Sequence, residues 1–275
     1  MAPRGDPEAG NGARLAVRAA ANRLALLLRT VRRPAAPAVG TWDLTDVAIH
    51  VSHSLEAVTA LARGGGPLLD DLEELSALTS RLVVGEGTRD LAVLADRIEA
   101  SAATFLEVVA SGDASPRPWL VRGIELPPSA LVGQVLNELV VHGWDVARAE
   151  GVSWPVPGRH AALVLDTFLL PVLGHLGPAL VDPQAARGVH AAFDLRVRGG
   201  GRAVLRVDDG DLVVEHLERA ARVVVDCHLS VEPAAFLLVA WGRRSQWPAI
   251  ARGRFLAWGR RPWLAPRLRP LLRNV

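Results

Sequence analysis

The sequence contains no lysine and no tyrosine, and it has one cysteine, Cys227, and one methionine, Met1. A lone cysteine excludes an intramolecular disulfide and a cysteine-built zinc site. Any metal in this protein must therefore be held by histidine and carboxylate. Acidic and basic residues nearly balance, with 31 arginines against 29 acids and a formal net charge of +2. No apolar run approaches the roughly 20 residues of a membrane helix. The start, "MAPRGDPEAGNG", has no apolar signal-peptide region. A soluble cytoplasmic protein is the expectation. There is no phosphate-binding glycine loop, no dinucleotide-binding glycine pattern and no serine nucleophile elbow. The missing lysine and tyrosine, beside heavy use of Ala, Gly, Arg and Val, reflect a GC-rich genome and carry no chemistry.

What is present divides in two. Half of the 275 residues are hydrophobic, enough for two modest cores. Residues 1 to 11 read as a disordered start. Apolar residues then recur at helical spacing over 13–31, 43–63 and 88–112, with a shorter helix in "LLDDLEELSALTSRLV". "WLVRGIEL" reads as a short extended piece. Residues 127–151 form another helix, with Pro at its start and Gly at its end. A helical bundle over 12–152 follows. "GVSWPVPG" makes a linker, and one more helix is expected over about 158–177.

The period then changes. "AAFDLRVRG", "RAVLRVDDG" and "LVVEHLE" alternate apolar and polar residues, as half-buried antiparallel strands do. "ARVVVDCHLS" reads as a fourth strand and "VEPAAFLLVAWGRR" as a helix. The region 157–275 is thus expected to be an α+β domain on an antiparallel sheet. From Trp241 to Val275 there are nine arginines, four tryptophans and no acid. Arginine with aromatic rings is one way to bind nucleic acid. Here the better reading lays the apolar groups of "PAAFLLVAW" and "WLAPRLRPLL" over the sheet, with arginine as a solvated rim. Nucleic acid is not expected as a partner. Cys227 alternates with apolar neighbours and reads as buried and inert, and the adjacent His228 must point to the opposite strand face.

The chemistry gathers in "NELVVHGWDVARAEG", residues 137–151. Glu138 and His142 are four apart, so they project from one side of the helix. Leu136, Leu139, Val140, Val141, Val146 and Ala147 surround them, and a carboxylate in such surroundings needs a partner or a metal. On an earlier helix His50 sits among Val47, Ile49, Val51 and Leu55, with His53 one turn on. Bundle interiors build metal sites from facing helices in this way.

"TWDLTDVAIHVSHSLEAV" resembles the W-x-x-x-D-[VL]-x-x-H signature of the mycothiol-dependent maleylpyruvate isomerase family, and "NELVVHGWDVARA" resembles that family's E-x-x-x-H-x-x-D-[LV] segment. The resemblance implies a DinB-like, up-and-down metal-binding bundle followed by a sterol-carrier-protein-like α+β domain. It implies His50, Glu138 and His142 as ligands of zinc or another divalent metal, with a fourth position open. His53 has no assured counterpart and is left as a pocket residue. Asp145, one turn after His142, is placed to hydrogen-bond a ligand imidazole; a surface acid is the equal alternative. Arg148, near the metal helix, is a further pocket candidate. Trp42 and Trp144 read as packing residues.

The family further implies mycothiol as a thiol cosubstrate and a small electrophile as substrate. The thiolate would add to the double bond of maleylpyruvate, and rotation and elimination would give the trans isomer. Irreversible S-transfer to an electrophile is the variant of that chemistry. Arg222, Arg243 and Arg244 are candidates to meet substrate carboxylates. The competing reading is a non-catalytic, metal-containing protein that binds an apolar small molecule in its C-terminal domain. A monomer is expected in either case.

Overall fold

A computed structural model describes residues 7–218 and 220–273. It separates into two compact units, Met1–Val156 and Pro157–Val275. No helix among the described residues is long and apolar enough to cross a membrane.

The first unit is built on α1 (Pro7–Leu28), α2 (Leu44–Ala62), α3 (Leu72–Gly85), α4 (Leu91–Ser111) and α5 (Pro128–Glu150). Two small antiparallel pairs accompany them: β1 (Pro37–Val39) with β2 (Trp42–Asp43), and β3 (Arg117–Pro118) with β4 (Glu125–Leu126). Of the disordered start expected over residues 1 to 11, the first six lie outside the described residues. From Pro7 onward the chain is already helical. The helix runs through Gly10, Asn11 and Gly12 ahead of the apolar periodicity, against their low helix propensity. Both α1 and α2 pack against α4 and α5, which makes a four-helix core with α3 against α2. Val17, Leu24, Ile49, Leu55, Leu94, Ile98, Phe105, Leu131 and Leu139 fill it.

The starts of the helices are specified locally. Asp43 caps α2: its Oδ1 accepts from the Asp46 N–H at 2.8 Å, and its own N–H donates to Asp46 Oδ2 at 3.1 Å. This reciprocal cap satisfies two backbone donors and sets where the helical register begins. Arg89 ties both acids from outside, 3.2 Å from Asp43 Oδ2 and 3.0 Å from Asp46 Oδ1. Helix α5 has Pro128 in its first turn and ends on Gly151 in the left-handed region at φ 81°, as expected of such termini. Within α5, Gly143 is a position of close approach. A Cβ there would lie 2.2 Å from Cζ2 of Trp154, whose ring Arg23 covers at 3.7 Å. The chain after α5 is thereby pinned back onto the helix beside His142.

The second unit opens with a continuous helical stretch: α6 (Gly158–Val164), a π-helical turn over Leu165–Leu169, and α7 (Leu170–Leu176). Pro171 sits in the first turn of α7 and donates no N–H, so the ladder is interrupted there; the Leu170 N–H reaches five residues back to Leu165. Five strands follow, β5 (His190–Val197), β6 (Arg202–Asp208), β7 (Asp211–His216), β8 (Cys227–Val231) and β9 (Phe255–Trp258), with α8 (Pro233–Ala240) and α9 (Trp247–Ala251) between the last two. The sheet order is β7-β6-β5-β8-β9. Phe193, Leu195, Leu205, Cys227 and Leu229 turn to the buried face, on which the helices lie.

Three expectations change here. The sheet is mixed rather than antiparallel, because β8 pairs with β5 in parallel, Phe193 beside Cys227. The connection after β7 returns along the sheet to the end where β5 begins, and Arg202 Nη1 donates to the Ala221 carbonyl on the way at 2.6 Å. The strand expected over "ARVVVDCHLS" forms only from Cys227. Val224 is 87% exposed, so its apolar alternation finds no partner surface. The tail does not simply cover the sheet. Phe255–Trp258 becomes an edge strand, and Trp247 and Trp263 stay largely exposed while Leu264, Leu268 and Leu271 are buried.

A candidate metal centre between two helices

His50 on α2 and Glu138 and His142 on α5 converge in the first unit. Each offers one ligand atom, and the three atoms lie within 4.8 Å of one another. Glu138 Oε2 is 3.1 Å from His50 Nε2 and 3.5 Å from His142 Nε2. Ligands about 2.1 Å from a tetrahedral ion stand roughly 3.4 Å apart, so both separations suit one ion held in common. The cluster is enclosed, with side-chain exposures of 19%, 13% and 11% for His50, Glu138 and His142. The imidazoles meet edge to face, 4.8 Å between ring centres. Trp42 packs its ring 5.0 Å from that of His50, which makes it part of the wall as well as a packing residue.

The electrostatics follow from burial and mutual contact. Burial pushes the His50 imidazole below its usual range, against the opposing effect of its Glu138 hydrogen bond. Burial alone would raise Glu138, but hydrogen bonds with His142 and His50 outweigh it and hold the carboxyl well below the usual range. Burial alone would lower His142, yet hydrogen bonds to Asp145 and Glu138 push it up to about 9. An anionic carboxylate thus lies between two imidazoles that differ in their hold on a proton. The donor set is two nitrogens and one oxygen, and the cluster attracts positive charge.

Asp145 is 1% exposed, so it is no surface acid. Its Oδ2 lies 3.0 Å from His142 Nδ1, which leaves Nε2 of that ring directed at the cluster. His53 turns elsewhere. Its Nε2 is 3.0 Å from Glu86 Oε2, an acid also held by Arg97 at 2.8 Å. Arg148 hydrogen-bonds the Ala38 carbonyl and lies 5.6 Å over the Trp144 ring. Arg222, Arg243 and Arg244 belong to the second unit; Arg222 and Arg244 are exposed, and Arg243 Nη1 donates to the Trp241 carbonyl at 2.8 Å. The spacing of "TWDLTDVAIH" puts Trp42 ahead of the capped helix start, and only the β1–β2 pair turns its ring onto His50.

A four-helix bundle with a His–Glu–His cluster between two of its helices offers a candidate metal site. Residues 17–147, just under half of the chain, match the model of the family described as the mycothiol maleylpyruvate isomerase N-terminal domain. Among solved structures, the chain is similar to the mycothiol-dependent maleylpyruvate isomerase at 14% identity, with a TM-score of 0.50 over 86% of this chain and 90% of that one. A histidine-to-alanine mutant of that isomerase aligns with a TM-score of 0.52, at the same identity and coverage. At this identity the likeness concerns the fold, and it extends over both units. No curated protein sequence matches the chain.

Proposed function

We propose that the chain is a metal-dependent, mycothiol-using enzyme of the maleylpyruvate isomerase type. The observation that carries this reading is the convergence of His50, Glu138 and His142 within 4.8 Å inside a bundle that matches that family's model over residues 17–147. In this reading the first unit is a DinB-like bundle and the second a sterol-carrier-like domain. The three side chains would hold a divalent ion, zinc by the nitrogen-rich donor set. When bound, the ion supplies positive charge that favours a thiolate over a thiol at neutral pH.

The protein's own residues prepare that site. Asp145 accepts the Nδ1 proton of His142 and fixes the ring so that Nε2 faces Glu138. The Asp43–Asp46 cap fixes the start of α2 and with it the face that carries His50. Trp42 covers one side of His50 and keeps water from it. The cosubstrate thiol adds to the conjugated double bond of a cis substrate. Rotation about the new single bond and elimination then return the thiol and release the trans isomer. Cys227 takes no part: it is buried, and burial pushes its thiol up to about 11.

Metal analysis of the purified full chain tests the reading, together with turnover of maleylpyruvate with and without mycothiol. About one equivalent of divalent metal and turnover that needs both metal and thiol are expected. Glu138→Ala is expected to lose the metal and the turnover together. A metal-free protein, or a Glu138→Ala variant of undiminished activity, overturns it.

A further inference from the structure

The second unit carries a polar cluster that the metal centre does not use. It lies on the face of the sheet opposite the apolar core. Along β5, Phe193, Leu195 and Val197 turn inward, which leaves Asp194 and Arg196 on the other face. His228 on β8 and Trp258 on β9 stand side by side on that face, in register with each other. Asp194, on the middle strand, is fully buried there. Its Oδ1 accepts from Arg202 Nε at 2.6 Å, and its Oδ2 accepts from Arg202 Nη2 at 2.9 Å, Arg196 Nε at 2.9 Å and His228 Nδ1 at 2.6 Å.

Two guanidinium groups therefore face one carboxylate, so the cluster carries surplus positive charge. The two arginines are placed differently. Arg202 is buried and also bonds the Ala221 carbonyl. The Arg196 side chain is 41% exposed, and its guanidinium stands 5.3 Å over the Trp258 ring. It meets Asp194 through Nε and Nη2, and no described residue binds Nη1. His228 is clamped on three sides. Asp194 holds Nδ1, Trp258 stacks on the ring at 5.4 Å and 17°, and Gly259 presses so close that a Cβ would stand 3.1 Å from Cδ2. An ionised carboxylate only accepts, so the Nδ1 proton points to Asp194 and Nε2 is the nitrogen left to a ligand. Beside these groups Trp258 is 41% exposed and Leu256, two residues back on the same edge strand, is 50% exposed. A guanidinium edge, an imidazole nitrogen and an indole face thus lie together on a rigid sheet.

We propose that this face binds a small planar carboxylate: Arg196 receives the anion, Trp258 provides the apolar wall, and His228 Nε2 contacts a polar edge of the ligand. Fork-shaped arginine suits a carboxylate, and arginine paired with indole suits a flat body. NMR titration of the full-length protein tests it, with benzoate as the probe and benzyl alcohol as the uncharged control. Saturable shifts at the Trp258 indole N–H and the Gly259 amide are expected with benzoate and not with benzyl alcohol. Arg196→Gln is expected to weaken benzoate binding by about tenfold or more. Should that variant fold poorly, Trp258→Ala, on the exposed edge strand, is expected to show the same loss. Absence of saturable shifts with benzoate, equal response to benzyl alcohol, or unchanged affinity in the folded variants overturns the proposal.

Discussion

Glu138 in the first unit and Asp194 in the second are each enclosed beside histidine, and the two are handled in opposite ways. Among the described residues Glu138 meets two imidazoles and no arginine, whereas Asp194 meets two guanidinium groups and one imidazole. Imidazoles can give up a proton and become ligands; guanidinium groups cannot. The negative charge at Glu138 therefore remains available to a cation, while that at Asp194 is more than cancelled. Similar burial yields a cation-seeking site in the helical unit and a cation-rich one in the sheet. What a buried acid does is decided by whether its partners can release their protons.

That contrast can be broken by mutation. Asp194→Ala removes the carboxylate that pairs with the buried Arg202, and a loss of about 3–5 kcal/mol in the second unit's stability is expected in denaturant unfolding. A variant as stable as the parent would make Asp194 dispensable and end the comparison. Added zinc should act on the other unit alone. At 100 times its dissociation constant it is expected to stabilise the helical bundle by about 2.7 kcal/mol, seen as a raised unfolding midpoint that Glu138→Ala abolishes. Asp145→Asn keeps the shape but weakens the hold on His142 Nδ1, and zinc affinity is expected to fall by about 10–100-fold in a chelator competition.

Acid sharpens the comparison in the sheet. The Arg202, Arg196 and His228 contacts outweigh the burial of Asp194 and hold its carboxyl at about 2. A depressed folded value stabilises above the unfolded value, near 3.8, and that contribution fades as pH falls from about 4 towards 2. Allowing for solvent screening, it amounts to about 1–2 kcal/mol. Unfolding of the parent and of Asp194→Asn, followed between pH 5 and 2, checks this; the parent's stability should fall across that window and the variant's should change less. The smallest effect concerns Cys227. Its thiol, buried and pushed up to about 11, is expected to react with a disulfide reagent only after unfolding.

Much of the helical unit was legible because its signals are local. The Asp43 cap, Pro128 and Gly151 mark ends within one turn of themselves, and Glu138, His142 and Asp145 share a face by spacing alone. His50 is 88 residues from Glu138, so spacing says nothing of their meeting, and family resemblance supplied that expectation. Asp145 was open between a surface acid and a partner of His142, since amphipathic pattern does not say which side of a nearly all-buried helix is covered. In the sheet, alternation placed Cys227 and His228 on opposite faces. It could not say which strand lies beside β8, so neither the parallel pairing nor the Asp194–His228 contact was foreseeable.

The sequence by itself determined the periods, the caps, the division into a helical and an α+β half, and the absence of any thiol-built metal site. Those are short-range matters, settled by φ/ψ preference, side-chain spacing and composition. Only the tertiary structure decided which separated side chains meet. It joined His50 to the α5 pair, sent His53 to Glu86, and set Asp194 among two arginines and a histidine. Pairing across tens of residues depends on how whole elements bury their apolar faces against each other, and no local pattern encodes that choice.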